Sequence, residues 1–463
     1  MHCSKLKAGA LALALLMVGG AAFAQVNTGA ANFTTYVAFG DSLTAGFSSG
    51  ALLETYQRNS YPALIYRQAT GKTTGFAQPL VSAPGISSTP NFGVLRLQGL
   101  FPTVITPTPG QGQPLNLNHP VAYNNMAIPG QTLHDLLTQT SGGISDLILR
   151  RQNATQLQEG LSLKPTFVTL WIGNNDALGA ATSGIAVEGV TLTSAAQFEA
   201  EYRAVVNAIT VTAGVKQLAI ANIPDVTSIP FVTTIPRFLV NPRTNQLVRD
   251  PGGNPIPLIG PDGPLQAGDF VLLTASAELA TGRGVPVAFG GSGLPLSNNA
   301  VLSAAEAAVI KTHVDAYNTT IRTVASEKGA AFVDANSVLR DLATNGIRVG
   351  GISYSSAFLT GGIFSYDGVH PTAFGYAYIA NLFIDSINAT YGGDIPEVDL
   401  YPFVFGPLPS ATAAIATGKA SSGDFTQYVF TPEARRNLLL SLSVPKWIVE
   451  GTKPPRRPRH PRG

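Results

Sequence analysis

A serine hydroxyl attacks an acyl carbon only when a base takes its proton, and the base needs a third group to hold its ring. The chain offers six histidines for that task. His2 lies in the first residues and His460 in a basic terminal run; His119 precedes Pro120 in a loop-rich stretch. His134 and His313 fall inside helical patterns, where surface or packed histidines are usual. His370 stands apart. It follows Asp367 by three residues in Asp-Gly-Val-His-Pro, just before the last helical pattern. That short turn lets the Asp367 carboxylate accept from one ring nitrogen while the other faces a serine. The same five residues also make an ordinary Asp-Gly turn with an incidental histidine.

The serine best placed to meet it is Ser42, in Gly40-Asp41-Ser42-Leu43 directly after an apolar run. The carboxyl end of a strand is where open α/β sheets put their ligands, and a helix starting there points N–H groups at developing negative charge. Acyl transfer also needs donors aimed at the tetrahedral oxyanion. Gly130, at the end of Asn125-Met-Ala-Ile-Pro-Gly130, can offer an unobstructed backbone N–H. Asn175, in Gly173-Asn174-Asn175-Asp176, can donate from its side-chain amide. Taken singly, each of these segments is also a common turn. Together, all four follow an apolar run or precede a helix, which lines them along one rim of one sheet.

The elements behind them alternate short apolar runs with helical patterns, the signature of a layered α/β fold with a mainly parallel sheet. Five runs read as buried strands: 35–39 (TYVAF), 121–125 (VAYNN), 167–172 (FVTLWI), 217–222 (QLAIAN) and 330–334 (AAFVD). Each is almost continuously apolar, as expected when helices cover both faces. Between them, 194–213 places Phe198, Tyr202, Val205, Val206 and Ile209 on one helical face. Ser303 and Glu306 form a capping box for a helix through about Lys328, ended by Gly329. A last helix is expected from Pro371 to about Tyr391. Two stretches break this rhythm, about 72–120 and 224–300, rich in Pro, Gly and turn signals such as Pro251-Gly-Gly and Pro261-Asp-Gly. They are expected to form loops or small lids beside the site.

The first 24 residues read as an export signal: Lys5 and Lys7, an apolar run from Ala8 to Val18, and a small-x-small cleavage site at Ala22-Phe23-Ala24. The expected product is secreted or periplasmic, cut after Ala24, with no stable transmembrane segment once the signal is gone. The one cysteine, Cys3, falls inside that signal. The remainder therefore has no disulfide, thiol nucleophile or cysteine-bound metal to draw on. Residues 394–463 read as a C-terminal extension whose last stretch, 453–463, is a basic proline-rich tail expected to be disordered. Without Lys5 and Lys7 the chain carries 27 basic and 27 acidic residues, and five of the basic ones are in that tail. The body is thus net acidic by five and has no nucleic-acid footprint.

Other hydrolase and nucleotide signatures fail. Gly71-Lys72-Thr73 lacks the glycine a phosphate loop needs at Tyr66, and there is no Gly-x-Ser-x-Gly elbow and no His-Glu-x-x-His. In contrast, the chain resembles the GDSL (SGNH) hydrolase family. Four of that family's blocks occur in the family's order: Phe39-Gly-Asp-Ser-Leu-Thr-Ala-Gly46, the glycine at Gly130, Gly173-Asn-Asn-Asp176, and Asp367-x-x-His370. Ser60-Tyr-Pro-Ala-Leu64 and Asn222-Ile-Pro-Asp225 add to the similarity, which spans about residues 33–392. The resemblance implies a three-layer α/β/α flavodoxin-like fold with the hydrolase domain over 25–393. It implies Ser42 as nucleophile, His370 as base and Asp367 as its orienting acid. It further implies an oxyanion hole built from the Ser42 and Gly130 backbone N–H groups and the Asn175 amide.

The implied activity is cleavage of carboxylic esters, of lipids or of short to medium acyl chains, with no metal or organic cofactor. Apolar residues within 231–258 and the proline-rich 72–120 hint at an apolar acyl pocket. Two alternatives stand beside this: a carbohydrate (acetyl) esterase on the same fold, and a non-catalytic secreted binding protein.

Overall fold

The computed structural model describes residues 26–99, 101–404 and 425–453. The expected signal segment and all of the basic tail except Lys453 lie outside the described residues.

Buried apolar runs become strands because their backbone polar groups can be satisfied only by neighbouring strands. In chain order the elements that frame the site are β1 (Tyr36–Gly40), α1 (Ser42–Ala45), α2 (Tyr61–Thr70), β2 (Phe167–Trp171), α3 (Asn175–Ser183), α4 (Ala195–Asn207), β3 (Gln217–Ala221), α5 (Ala304–Lys328), β4 (Ala331–Val333), α6 (Ala373–Tyr391) and α7 (Pro432–Ser441). The four strands form one parallel sheet in the order β1-β2-β3-β4.

Side chains alternate across this sheet with the period of two that a strand imposes. Val37, Phe39, Val168, Leu170, Leu218 and Ile220 share a core with Phe198 and Tyr202 of α4 and Ile310 and Val314 of α5. Tyr36, Ala38, Phe167, Trp171, Ala219 and Ala221 share another with Tyr61 and Leu64 of α2 and Phe383 and Ile384 of α6. Burying each large side chain contributes roughly 1.5–3 kcal/mol, so two such cores lock the sheet between its helices. The result is an α/β fold layered α/β/α, as the resemblance implied.

The expected fifth strand is not regular. Residues 121–125 touch the sheet through one parallel bridge, Ala38 to Asn125, and Val121 is 53% exposed. The Asn125 amide instead donates to the Thr44 carbonyl, and Asn124 donates to Tyr36 O. The backbone N–H groups of Asn124 and Asn125 both donate to Ala77 O, at 2.9 and 3.1 Å, so they are not free to continue a ladder. Backbone bonds from Ala38 N to Asn124 O at 2.8 Å and from Met126 N to Ala38 O at 3.0 Å run it along the free edge of β1 without making a fifth strand.

Helix ends follow the sequence in one case and shift in two. The Ser303–Glu306 capping box opens α5, and Gly329 at φ +60° closes it. The helix expected over 194–213 is α-helical to Asn207 and then widens into a π turn to Thr212. The last helix starts at Ala373, capped by Thr372, rather than at Pro371. Pro371 is held outside it, bridged to Phe364 and accepting from the Ser48 hydroxyl.

The two interruptions are more ordered than expected. Within 72–120, strands Phe92–Gln98 and Thr103–Pro109 pair antiparallel, and Tyr428–Phe430 of the C-terminal extension adds in parallel beside the second. Within 224–300, short two-residue strands surround a small core of their own that includes Leu239, Leu258, Leu279 and Val285. Among the described residues, no helix is long and apolar enough to cross a membrane.

Candidate active site

β1 delivers Ser42 through a turn that only glycine permits. A Cβ on Gly40 would lie 2.1 Å from Thr44 Oγ1 and 2.5 Å from Trp171 O. Asp41 then caps α1, its carboxylate accepting from Leu43 N at 3.0 Å. Ser42 is the first helical residue and is 3% exposed.

From the other end of the chain, the loop ahead of α6 brings His370 to it. His370 Nε2 lies 2.9 Å from Ser42 Oγ, and Nδ1 lies 2.9 Å from Asp367 Oδ2. The ring packs on Phe47, with centroids 4.9 Å apart. Asp367 is fully buried yet surrounded by donors. Its Oδ1 accepts from His370 N at 2.8 Å, Val369 N at 3.0 Å and Ser365 Oγ at 3.1 Å. Its Oδ2 accepts from Gly50 N at 2.9 Å as well as from the imidazole. Burial by itself would raise the Asp367 pKa; the adjacent His370 and these N–H groups outweigh it and hold the carboxyl below its ordinary value.

Gly130 reaches the same rim in a tight turn. Gln131 N donates to Ile128 O at 3.2 Å, Pro129 takes the second position and Gly130 the third at φ +83°, the pattern of a type II turn. Ile128 N donates to Gly40 O at 3.2 Å, which fastens this turn to the end of β1. Gln156 reinforces that joint, its amide donating to both Gly40 O and Met126 O at 2.7 Å. Asn175 opens α3 past the end of β2, and its Nδ2 donates to Gln131 O at 2.9 Å. One amide hydrogen is left over, and Asn175 Oδ1 is buried with no partner. Among the described residues, neither the Ser42 N–H nor the Gly130 N–H donates to the protein. These three groups are the site's uncommitted donors.

Two further carboxylates support the turns. Asp41 Oδ2 accepts from Asn174 Nδ2 at 2.8 Å, tying the turn after β1 to the one after β2. Asp176 accepts from Leu133 N at 2.9 Å and Thr193 Oγ1 at 2.6 Å. Burial raises both, Asp41 to about 6 and Asp176 to about 7.

All five residues singled out in the sequence thus fall on one rim. The other described histidines do not join them: His134 pairs with Glu201 and His313 with Glu188, while His119 stacks on Tyr123. Beside Gly130 a cleft of about 800 Å³ opens, walled by Ile86 and Gln113 of the 72–120 segment, Gln131, Ser145, Leu147 and Leu440. The apolar residues around 231–258 do not form its wall. They line a separate cavity of about 210 Å³ with Ile235, Phe238, Leu258 and Phe425. Phe231 instead braces the loop that bears Asp367 and His370, its N–H donating to Gly368 O at 2.9 Å.

Several residues in the site were not read from the sequence. Ser365 and Gly50, which hold Asp367, sit in segments with no recognised motif. Asn174 was adjacent to a residue already chosen. Asn437 and Ser443, from the extension, also touch this region. The available signal there was Thr431-Pro432-Glu433, a helix-start pattern.

A family model described as GDSL-like lipase/acylhydrolase matches residues 36–383. Among curated proteins, none matches the chain. Among solved structures, the acetylxylan esterase Axe2 from Geobacillus stearothermophilus is similar at 14% identity, covering 76% of this chain and 93% of its own, with a TM-score of 0.34. LAE5, described as an alpha/beta hydrolase enzyme from the metagenome of Lake Arreo, Spain, is similar at 14% identity over 77% and 95%, with a TM-score of 0.34.

Proposed function

The chain belongs to the GDSL-like lipase/acylhydrolase family and is an ester-hydrolysing enzyme, and from that premise we propose that Ser42, His370 and Asp367 carry its chemistry. The observation that carries this reading is the unbroken run from Ser42 Oγ to His370 Nε2 and from Nδ1 to Asp367 Oδ2, each step 2.9 Å.

His370 takes the Ser42 proton as the hydroxyl oxygen attacks the ester carbonyl carbon. Asp367, held anionic by its five donors, fixes the imidazole tautomer and stabilises the imidazolium. The carbonyl oxygen becomes an oxyanion held by the Ser42 and Gly130 backbone N–H groups and the Asn175 amide. As the tetrahedral species collapses, His370 protonates the leaving alcohol. Water, activated by the same base, then attacks the acyl-enzyme and frees Ser42.

The substrate class proposed is a carboxylic ester of a lipid or of a short to medium acyl chain, in the cleft beside Gly130. The enzyme is proposed to act outside the cytoplasm, after cleavage of residues 1–24.

Ser42→Ala tests the nucleophile. It should abolish turnover of p-nitrophenyl esters and labelling by a serine-reactive phosphonate, while far-UV circular dichroism stays that of the parent. Turnover or labelling that survives would remove Ser42 from this role. A series of esters of rising chain length tests the substrate class: activity confined to acetate, or to acetylated glycans, would replace the lipid-like reading with a carbohydrate esterase.

A further inference from the structure

Residues 425–453 return from the end of the described chain to the site. Tyr428–Phe430 is registered against Thr103–Ile105, Thr431 caps α7, and Ala434, Leu438, Leu439 and Leu442 enter the same core as Val37 and Phe39 of β1. So anchored, the segment reaches the site at two points.

The first is Asn437, which is fully buried and uses both ends of its amide. Nδ2 donates to Gly50 O at 3.2 Å, and Oδ1 accepts from Thr89 N at 3.2 Å. Gly50, at φ +76°, is the residue whose N–H donates to Asp367 Oδ2. A glycine in that region of conformational space has freedom to turn its N–H elsewhere. Ser49 O, accepting from Leu95 N at 2.7 Å, holds the peptide plane that carries this N–H, and Asn437 holds the next plane through the Gly50 carbonyl, so Gly50 is tethered on both sides. The second is Ser443, whose hydroxyl donates to Gly130 O. Ser443 itself sits at φ +59°, which costs a serine more than a glycine. A Cβ on Gly179 would lie 3.3 Å from Ser443 O, so this stretch also runs along the face of α3 one turn beyond Asn175.

We propose that Asn437 and Ser443 are positioning residues for ester hydrolysis, Asn437 acting through Gly50 on Asp367 and Ser443 acting on the Gly130 turn. The C-terminal segment is then part of the active site, joining the acid end of the hydrogen-bonded run to the oxyanion end. Neither residue touches the reacting atoms. The proposal rests on the assignment of Ser42, His370, Asp367 and Gly130 made above.

The test uses the full chain and counts active sites by phosphonate titration, so that kcat is expressed per reactive Ser42. Ser443→Gly separates positioning from structural support, because it removes the hydroxyl while relieving the backbone at φ +59°. The expected result is a Tm equal to or above the parent's, an unchanged KM, and kcat per titrated site lower by about tenfold to a hundredfold, the cost of a small misplacement of a reacting group. Asn437→Leu should lower kcat per titrated site in the same way, with a lower Tm as well. Should Asn437→Leu fail to fold, Ser443→Gly alone decides. Activity that falls only in proportion to titrated sites, or a raised KM at constant kcat, overturns the proposal. A parent enzyme that turns over esters but takes no phosphonate on Ser42 overturns the underlying assignment instead.

Discussion

Asp367, in the loop before α6, Asp41, in the turn after β1, and Asp176, at the start of α3, are all buried, yet they hold their protons differently. Asp367 is kept below its ordinary pKa, while Asp41 is pushed up to about 6 and Asp176 to about 7. Burial raises all three; what separates them is what they accept. Five donors, one of them the imidazole, converge on Asp367. Asp41 receives Leu43 N and Asn174 Nδ2, and Asp176 receives Leu133 N and Thr193 Oγ1, with Glu201 and Asp135 adding unfavourable charge nearby. A buried carboxylate stays ionised only where donors replace the water it lost. The fold supplies that set of donors at the one aspartate whose negative charge the proposed mechanism needs. The other two are equipped to shape backbone.

The sharpest way to break this contrast is Asp367→Asn. The amide keeps the volume but can turn an NH₂ toward His370 Nδ1, favouring the wrong tautomer, and kcat should fall by roughly 10⁴. Turnover of a soluble ester, with circular dichroism to verify folding, measures it. A loss below tenfold would put Asp367 in the same class as Asp41, a builder of turns.

Next in size is Asn175→Ala. If the spare amide hydrogen serves the oxyanion, kcat should drop by about 10²–10³ with little change in KM. The variant also removes the bond to Gln131 O. A fall in Tm with kcat intact would therefore show that Asn175 only pins the Gly130 turn, and would move it to the structural side of the comparison.

Much of this was legible beforehand because local and tertiary requirements coincided. β1, β2 and β3 are continuous apolar runs, and burial on both faces leaves such runs few other fates. The Ser303 capping box and Gly329 marked both ends of α5 because caps are local chemistry. The failures were those that long-range contacts decide. Residues 121–125 read as a strand from their apolar side chains, but only Asn125 bridges β1, while the backbone N–H groups of Asn124 and Asn125 turn to Ala77 O. The strands in 92–109 were hidden among prolines, and they are stabilised by Tyr428–Phe430, more than 300 residues away. No local pattern in either segment announces that pairing. At the site, motif residues were readable and their supports were not: His370 could be chosen from the sequence, whereas Gly50, Ser365 and Asn437 gain meaning only once Asp367 is placed between them.

The smallest effect tests the other half of the comparison, through pH. Asp176 has a folded pKa of about 7 against an ordinary 3.8, so between those values the folded state binds a proton that the unfolded chain releases. Its contribution to stability is therefore complete below pH 4 and is lost as pH rises toward 7, with a slope of at most about 1.4 kcal/mol per pH unit. Asp367, with its pKa lowered, acts with the opposite sign: its contribution is present above the ordinary carboxyl range and is lost as pH falls below it. Asp176→Asn removes the first of these and leaves the second. Urea unfolding of parent and variant at pH 5 and pH 7 should show that the parent loses more stability than the variant on going to pH 7. Activity should change by less than about tenfold, as for a group that orients a turn rather than a reacting atom. An identical pH dependence in the two proteins would mean that Asp176 is ionised across this range like Asp367. The distinction between the carboxyl held below its ordinary pKa and the two raised above theirs would then fail at that residue.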